Sequence, residues 1–322
     1  MGRKFFESGT CQTHRRKKCV RRLTGKDIAD ILHKTLPAVS KGEWFSILAD
    51  LHMHTSFSDG AQSPAEVVKA AVQKGLSVIS VCDHDTIGAY DSLRPLCHAA
   101  GLRLVQGVEL DVYWKGKTLH LLGYAFDPKD PDMAALMQST REELSEVSVQ
   151  MVKKMLPDYP ALSMEDYEQF TYPPGEGGWK GLHYLRARGL TLELMEGLFF
   201  HQKYGGFTPD YYDIGRACAI IRNAGGVPVL AHPGCWWPDM PADFADILDN
   251  LRSLGVGGIE CHYPEHNKAF TQFCVDYCHA HDLRITCGGD GHGGFNNFPG
   301  GVVHDIGIMR VDMNELDLRG II

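Results

Sequence analysis

Apolar residues along this chain fall into short continuous runs and helix-spaced stretches, separated by glycine, proline and acidic punctuation. Phe45 to Ala49 reads as a buried strand. Ser63-Pro64-Ala65-Glu66 is a helix start: a capping Ser, a Pro in the first turn and an acid. That helix runs through Val67, Val68, Ala71 and Val72 and stops at Gly75. Leu76 to Cys82 predicts a second strand and Tyr90 to Ala100 a helix closed by Gly101. Leu102 to Val108 predicts a third strand, ending in Glu109, and Thr118 to Tyr124 a fourth. Strand and helix alternating over short connections predict a parallel sheet or barrel.

The pattern changes at Asp127-Pro128-Lys129-Asp130-Pro131. From there to about residue 204 the spacing is helical, interrupted by a loop from Tyr172 to Gly178, and this stretch reads as an inserted helical subdomain. Alternation then resumes: helix over Tyr212 to Ala224, strand over Val227 to Ala231, helix over Phe244 to Leu254. Gly257-Gly258-Ile259 leads into Glu260. Ala269 to His281 is a helix, Leu283 to Cys287 a strand and Ile306 to Val311 a last strand-like piece. The predicted organisation is a leader over 1–46, a barrel built from 47–130 and 205–322, and a helical insertion over 131–204.

A hydrophobic content of 44% over 322 residues suffices for a core, and no apolar run approaches the ~18 residues of a membrane-spanning helix. No apolar stretch follows the N-terminal basic residues as in a secretory signal. The ten cysteines sit mostly inside strand- or helix-like runs, as reduced thiols do, and the predicted location is the cytoplasm. Cys274 and Cys278, four apart on a helix, are either a metal-facing pair or small buried hydrophobes, and the second reading is preferred. Charge is uneven: residues 1–46 carry eleven Lys or Arg against four Asp or Glu, a local +7, which leaves −15 for the rest of a chain of net charge −8. The run His14-Arg15-Arg16-Lys17-Lys18 is either an RNA-touching arm or a solvated leader. Cys11, His14 and Cys19 form no zinc spacing.

The sixteen histidines matter by position. His52 and His54 are two apart at a strand exit and so share a side, with Asp59 following in the turn closed by Gly60. His84, Glu109, His232, Asp290 and His292 also fall at strand ends, and His120 lies within the fourth strand. The C-terminal ends of parallel barrel strands form one rim, where active sites sit. Packing alone gives no reason for six strands each to bring a His or acid there, because that many buried polar groups would go unsatisfied. Imidazoles mixed with carboxylates suit Mn²⁺, Zn²⁺ or Fe²⁺.

Taken together, His52-x-His54-x-x-x-x-Asp59-Gly60, Asp83-His84-Asp85-Thr86, Gly107-Val108-Glu109, His120-Leu121-Leu122-Gly123-Tyr124, Ala231-His232-Pro233, Gly258-Ile259-Glu260 and Gly289-Asp290-Gly291-His292 resemble the PHP (polymerase and histidinol phosphatase) superfamily. The likeness is to its stand-alone metal-dependent phosphoesterases, which act on nucleoside 3′,5′-bisphosphates and short RNA 5′ ends, and covers about 47–130 and 205–295. It implies an α/β fold, a distorted (β/α)7 TIM-like barrel, with two or three divalent ions. By the same resemblance His52, His54 and Asp290 hold one ion. Glu109 bridges to a second, held by His120 and His232, and Asp59, His84 and His292 hold a third. A hydroxide held through Glu109, His232 and Asp290 would be the nucleophile, and the partner a small phosphorylated substrate or short RNA, with no membrane and no protein partner.

Within that family the first insertion helix often carries several phosphate-binding arginines. Here it reads Thr140-Arg141-Glu142-Glu143-Leu144-Ser145-Glu146, with Arg141 alone and Lys153 and Lys154 turns away. Arg141 and His266 are therefore the candidate substrate residues. Trp236-Trp237-Pro238 is either a base-stacking platform or a capped loop, His279 and His281 read as surface, and Asp83 and Asp85 are placed to orient His84. Two alternatives stand beside the phosphoesterase: a histidinol-phosphate phosphatase, disfavoured by the insertion and by Asp59, and a non-catalytic nucleic-acid-binding protein, supported by the basic leader.

Overall fold

The computed structural model describes residues 47–172, 175–294 and 301–322. The basic leader, Cys11, His14, Cys19, the start of the first predicted strand and the middle of the Tyr172–Gly178 loop lie outside the described residues. β1 (Leu48–Asp50) leads through the capped helix α1 (Pro64–Gln73) to β2 (Leu76–Val81), and α2 (Tyr90–Ala100) leads to β3 (Arg103–Trp114). The α1 cap is a full capping box: Ser63 receives the Glu66 N–H, and the Glu66 carboxylate receives the Ser63 N–H at 2.8 Å.

β4 (Lys117–Tyr124) departs from the parallel expectation. It runs antiparallel to both β3 and β5 (Val227–Leu230). The cause is a two-residue hairpin at Lys115-Gly116, both with positive φ (44° and 84°), the turn whose twist suits a tight antiparallel pair. β3 also extends past Glu109, because Leu110, Val112 and Trp114 keep the alternation buried. Glu109 thus sits within a strand rather than at its end. The remaining strands, β6 (Gly258–His262) and β7 (Arg284–Cys287), return to parallel pairing. β8 is only Val311–Asp312, antiparallel to β1 and shorter than the predicted Ile306–Val311.

Sheet order is β7-β6-β5-β4-β3-β2-β1-β8. The sheet curls until β7 meets β1 again: Leu51 N–H donates to Cys287 O at 3.0 Å, Asp290 N–H to His52 O at 2.8 Å, and Met53 bridges Gly291. The result is a nearly closed TIM-like barrel. Its interior is filled by Ala49, Leu51, Val78, Val105, Leu122, Tyr124 and Val229. Helices α7 (Ile214–Asn223), α9 (Phe244–Ser253) and α10 (Lys268–His281) cover the outer face through Ile221, Leu248 and Phe270. A one-turn helix, α8 (Pro233–Trp236), follows β5 directly.

Between β4 and α7 the chain is helical: α3 (Pro131–Met155), α4 (Met164–Gln169), α5 (Lys180–Ala187) and α6 (Gly197–Tyr204). α3 belongs to two cores. Its first turns bury Met133, Leu136 and Met137 in the barrel's outer cluster, and its last turns bury Met151, Val152 and Met155 with Tyr167, Tyr184 and Leu185. At 1.5 Å per residue it spans about 37 Å, enough to join them rigidly.

Candidate metal centre

His52 and His54 follow β1, and the turn after them delivers Asp59. That turn is tied down by Asp83, which accepts from Thr55 N–H (2.7 Å), Thr55 Oγ1 (2.6 Å) and Ser58 Oγ (2.8 Å). Asp83 therefore orders the Asp59 loop; it does not orient His84. His84 and Asp85 follow β2, His232 follows β5, and Asp290 and His292 follow β7. His120 enters from the reversed strand opposite Asp111.

These side chains converge on one carboxylate. Glu109 Oε2 lies 3.2 Å from His52 Nε2, 3.1 Å from His54 Nε2 and 3.4 Å from His84 Nε2. Its other oxygen, Oε1, lies 2.9 Å from His120 Nδ1 and 3.0 Å from His232 Nε2. Asp290 Oδ1 is 3.2 Å from His54 and 3.5 Å from His52. Asp59 faces His54 at 3.4 Å, His292 at 3.2 Å and His84 at 3.9 Å. Three groups have donor atoms close enough to share an ion: His52, His54, Glu109 and Asp290; His54, Asp59, His84 and His292; and His84, Glu109 and His120.

The electrostatics suit cations. Seven Asp or Glu are buried here and beneath the rim (Asp50, Asp59, Asp83, Asp85, Glu109, Asp111 and Glu260), and no Lys or Arg is buried among the described residues. Burial opposes charge on Glu109, but His52, His120 and His84 hold it well below the usual carboxylate range; Asp290 behaves likewise beside His52 and His292. Burial also opposes protonation of His54, yet the neighbouring Asp290, Glu109 and Asp59 carboxylates push it up to about 10. Asp290 Oδ1 is buried without a hydrogen-bond partner while imidazoles surround it. An orphaned carboxylate oxygen among convergent imidazole nitrogens fits a bound divalent ion. Asp85, His232 and Asp290 have positive φ (55°, 27° and 49°), backbone strain of the kind that clusters at functional sites.

Residues outside the predicted set hold this arrangement. Glu260 accepts from His52 Nδ1 at 3.0 Å and from the His232 N–H at 2.8 Å. Asp111 lies 3.2 Å from His120 Nε2, and the Tyr263 hydroxyl donates to Asp290 Oδ2 at 3.0 Å. Asp50 receives the N–H groups of Gly307, Gly289 and His52 under the rim. A Cβ on Gly288 would stand 2.2 Å from His52 Cβ and 2.4 Å from Glu260 Oε1, so only glycine lets β7 pass this pair. The sequence signal for Glu260 is the Gly258-Ile259-Glu260 run itself, although in the structure Glu260 lies in the middle of β6.

Other candidates fall differently. His266 Nε2 accepts the Gly234 N–H (2.9 Å) and Nδ1 donates to Cys261 O (3.0 Å), so backbone occupies both ring nitrogens. The tryptophan pair splits: Trp237 is buried against Trp114, while Trp236 packs on His120 at 5.2 Å and His232 at 5.8 Å. Asp85 is buried, with neither oxygen hydrogen-bonded among the described residues. Arg141 lines a cavity of about 380 Å³ that also touches His84.

The comparisons with known proteins agree with this geometry. The Haemophilus influenzae 5′-3′ exoribonuclease is 28% identical over 76% of this chain and 89% of its own. The Eggerthella lenta phosphoribosyl 1,2-cyclic phosphate 1,2-diphosphodiesterase is 29% identical over 79% and 97%. The Chromobacterium violaceum 3′,5′-nucleoside bisphosphate phosphatase is 27% identical over 84% and 96%. A solved Bifidobacterium adolescentis structure described as a metal-dependent phosphoesterase shares the fold, with a TM-score of 0.64 at 24% identity over 83% of this chain and 97% of that one. The PHP domain profile matches residues 50–171, a segment holding His52, His54, Asp59, His84, Glu109 and His120. Six of the nine converging residues thus lie inside the match.

Proposed function

We propose that this phosphoric ester hydrolase removes a phosphate from a nucleoside 3′,5′-bisphosphate or an RNA 5′ end, using two or three divalent ions held by the nine rim residues. In this reading His52, His54 and Asp290 hold one ion, Glu109 reaches across to a second with His120 and His232, and Asp59, His84 and His292 hold a third. One observation carries it. Glu109 turns one oxygen to His52 and His54 and the other to His120 and His232, as a carboxylate spanning two ions would. His54 stacks on His292 at 4.0 Å, so it also stands beside the third group.

When bound, such ions supply Lewis acidity toward phosphoryl oxygens and lower the pKa of water. The protein's own part is positional. Glu260 fixes the ring of His52 and the backbone of His232 together, and Tyr263 holds the far oxygen of Asp290. Manganese, zinc or ferrous iron suits this donor set. Helices 131–204 form a roof, with Arg141 of α3 facing the substrate phosphate; Arg141 has no ion pair among the described residues. We further propose a cytoplasmic location, supported by eight free cysteines among the described residues. No described helix is long and apolar enough to cross a membrane.

The test is metal analysis of purified protein together with a substrate panel of 3′,5′-bisphosphates, 5′-phosphorylated RNA, a cyclic phosphodiester and histidinol phosphate. Two or more ions per chain and turnover of the nucleotides are expected. Full turnover by chelated protein, or preference for histidinol phosphate, would overturn the reading.

A further inference from the structure

We propose that Trp236 is a positioning residue for the ion assigned to Glu109, His120 and His232: its indole ring, in place of a hydrogen bond, sets the orientation of the His232 imidazole. This rests on the ion assignments proposed above and goes beyond them by naming what holds one of the ligands. An imidazole that binds a metal through one nitrogen is ordinarily fixed by a hydrogen bond at the other. His52 has that bond, Nδ1 to Glu260 at 3.0 Å, and His120 has Asp111 at 3.2 Å from Nε2. His232 differs from both. Its Nε2 faces Glu109, and its Nδ1 is buried with no hydrogen-bond partner among the described residues. Rings surround it instead: His52 stacked at 5.7 Å, Tyr263 tilted at 5.2 Å and Trp236 tilted at 5.8 Å and 43°.

A short local device seats the indole. His232 leaves β5 with a φ of 27°, Pro233 starts α8, and the Cys235 N–H closes back on the His232 carbonyl at 2.9 Å. The next residue anchors the turn: Trp237 is buried against Trp114 at 5.9 Å and Phe244 at 5.7 Å, and its N–H donates to Pro233 O at 3.0 Å. With Trp237 committed to the outer core, Trp236 stays half-buried beside the rim and meets His120 edge to face at 5.2 Å and 71°, an attractive arrangement for aromatic rings. Its indole N–H is buried without a hydrogen bond among the described residues, so ring contact is what places it. Among the described residues the only imidazoles that its ring meets are His120 and His232. Both lie on the Oε1 side of Glu109, at 2.9 and 3.0 Å, so the support is confined to one ion.

The test is a Mn²⁺ titration of the full chain after chelation, read by calorimetry and by tryptophan fluorescence, in wild type, Trp236→Leu and Trp236→Phe. Leucine keeps apolar bulk but loses the flat ring, and phenylalanine keeps a ring. Trp236→Leu should weaken one Mn²⁺-binding step about 10- to 100-fold, the range for a lost support behind a metal-binding His, and leave the rest unchanged. Its hydrolysis of p-nitrophenyl phosphate should return at high Mn²⁺. Trp236→Phe should bind every ion close to wild type and lose the part of the Mn²⁺-dependent quench that follows that step. A residue that only packs would lower Tm and move no binding step. Unchanged affinities in Trp236→Leu overturn the proposal, as do equal weakening of every step or a phenylalanine variant as weak as the leucine one. The fluorescence difference between wild type and Trp236→Phe does not depend on the leucine variant folding, and its absence also overturns the proposal. Wild type that shows these ion effects but hydrolyses no phosphoester overturns the phosphoesterase reading and leaves Trp236 its role, because calorimetry reads the ions without turnover.

Discussion

Glu260 and His52 meet at 3.0 Å, carboxylate to Nδ1, with both side chains fully buried and 208 positions apart in the chain. The bond fixes which imidazole nitrogen faces the rim: Nδ1 is engaged by Glu260, so Nε2 is directed at Glu109 and Asp290. The same carboxylate holds the His232 backbone, and one residue thereby sets two of the proposed ligands.

Glu260→Gln keeps the shape and removes the charge. Loss of a carboxylate behind a metal-binding His costs about 10- to 100-fold in metal affinity. Titration of metal-free protein with Mn²⁺ should show that weakening, and activity should return at high metal concentration. Unchanged affinity would show that Glu260 only packs.

Glu109→Gln removes charge from the carboxylate that faces both ligand groups. Its loss should exceed the ~100-fold upper value for a supporting residue. Bound metal, counted by elemental analysis, should fall along with turnover, since the effect acts through the ions. A variant that keeps its ions and its rate would sink the spanning arrangement.

Chelation should lower thermal stability as well as activity. Ions that bind only the folded chain stabilise it by about 2.7 kcal/mol per site at a hundredfold excess over Kd. Differential scanning calorimetry with and without chelator should show a lower Tm for the stripped protein, restored by Mn²⁺ or Zn²⁺. An unchanged Tm would argue against cations compensating the buried carboxylates.

Leu185→Ala tests the helical segment. Leu185 is fully buried in the cluster formed by α3, α4, α5 and α6, separate from the barrel core. Truncation there costs about 2–5 kcal/mol. Amide hydrogen exchange should quicken across 131–204 while the barrel strands and metal content hold. Uniform loosening of the whole chain would show instead that the two cores unfold as one.

Much of this protein could be read from its residue pattern. The apolar runs, the Ser63 cap and the glycine stops mark the elements because propensity, capping and burial are local effects, and the PHP likeness rests on motifs that are short and contiguous. The reversed strand could not be read from the pattern: Gly116 suits a turn, but the positive φ of Lys115 that completes the tight hairpin is visible only in the structure. What no local pattern contained was the meeting of distant groups. The Glu109 oxygens facing opposite histidine pairs, the reach of Glu260 to His52 and the withdrawal of His266 into backbone hydrogen bonds all follow from closing the barrel. Closure brings β7 against β1 and sets distances between residues hundreds of positions apart, and at 3 Å those distances decide which imidazole faces a cation and which is held by the backbone.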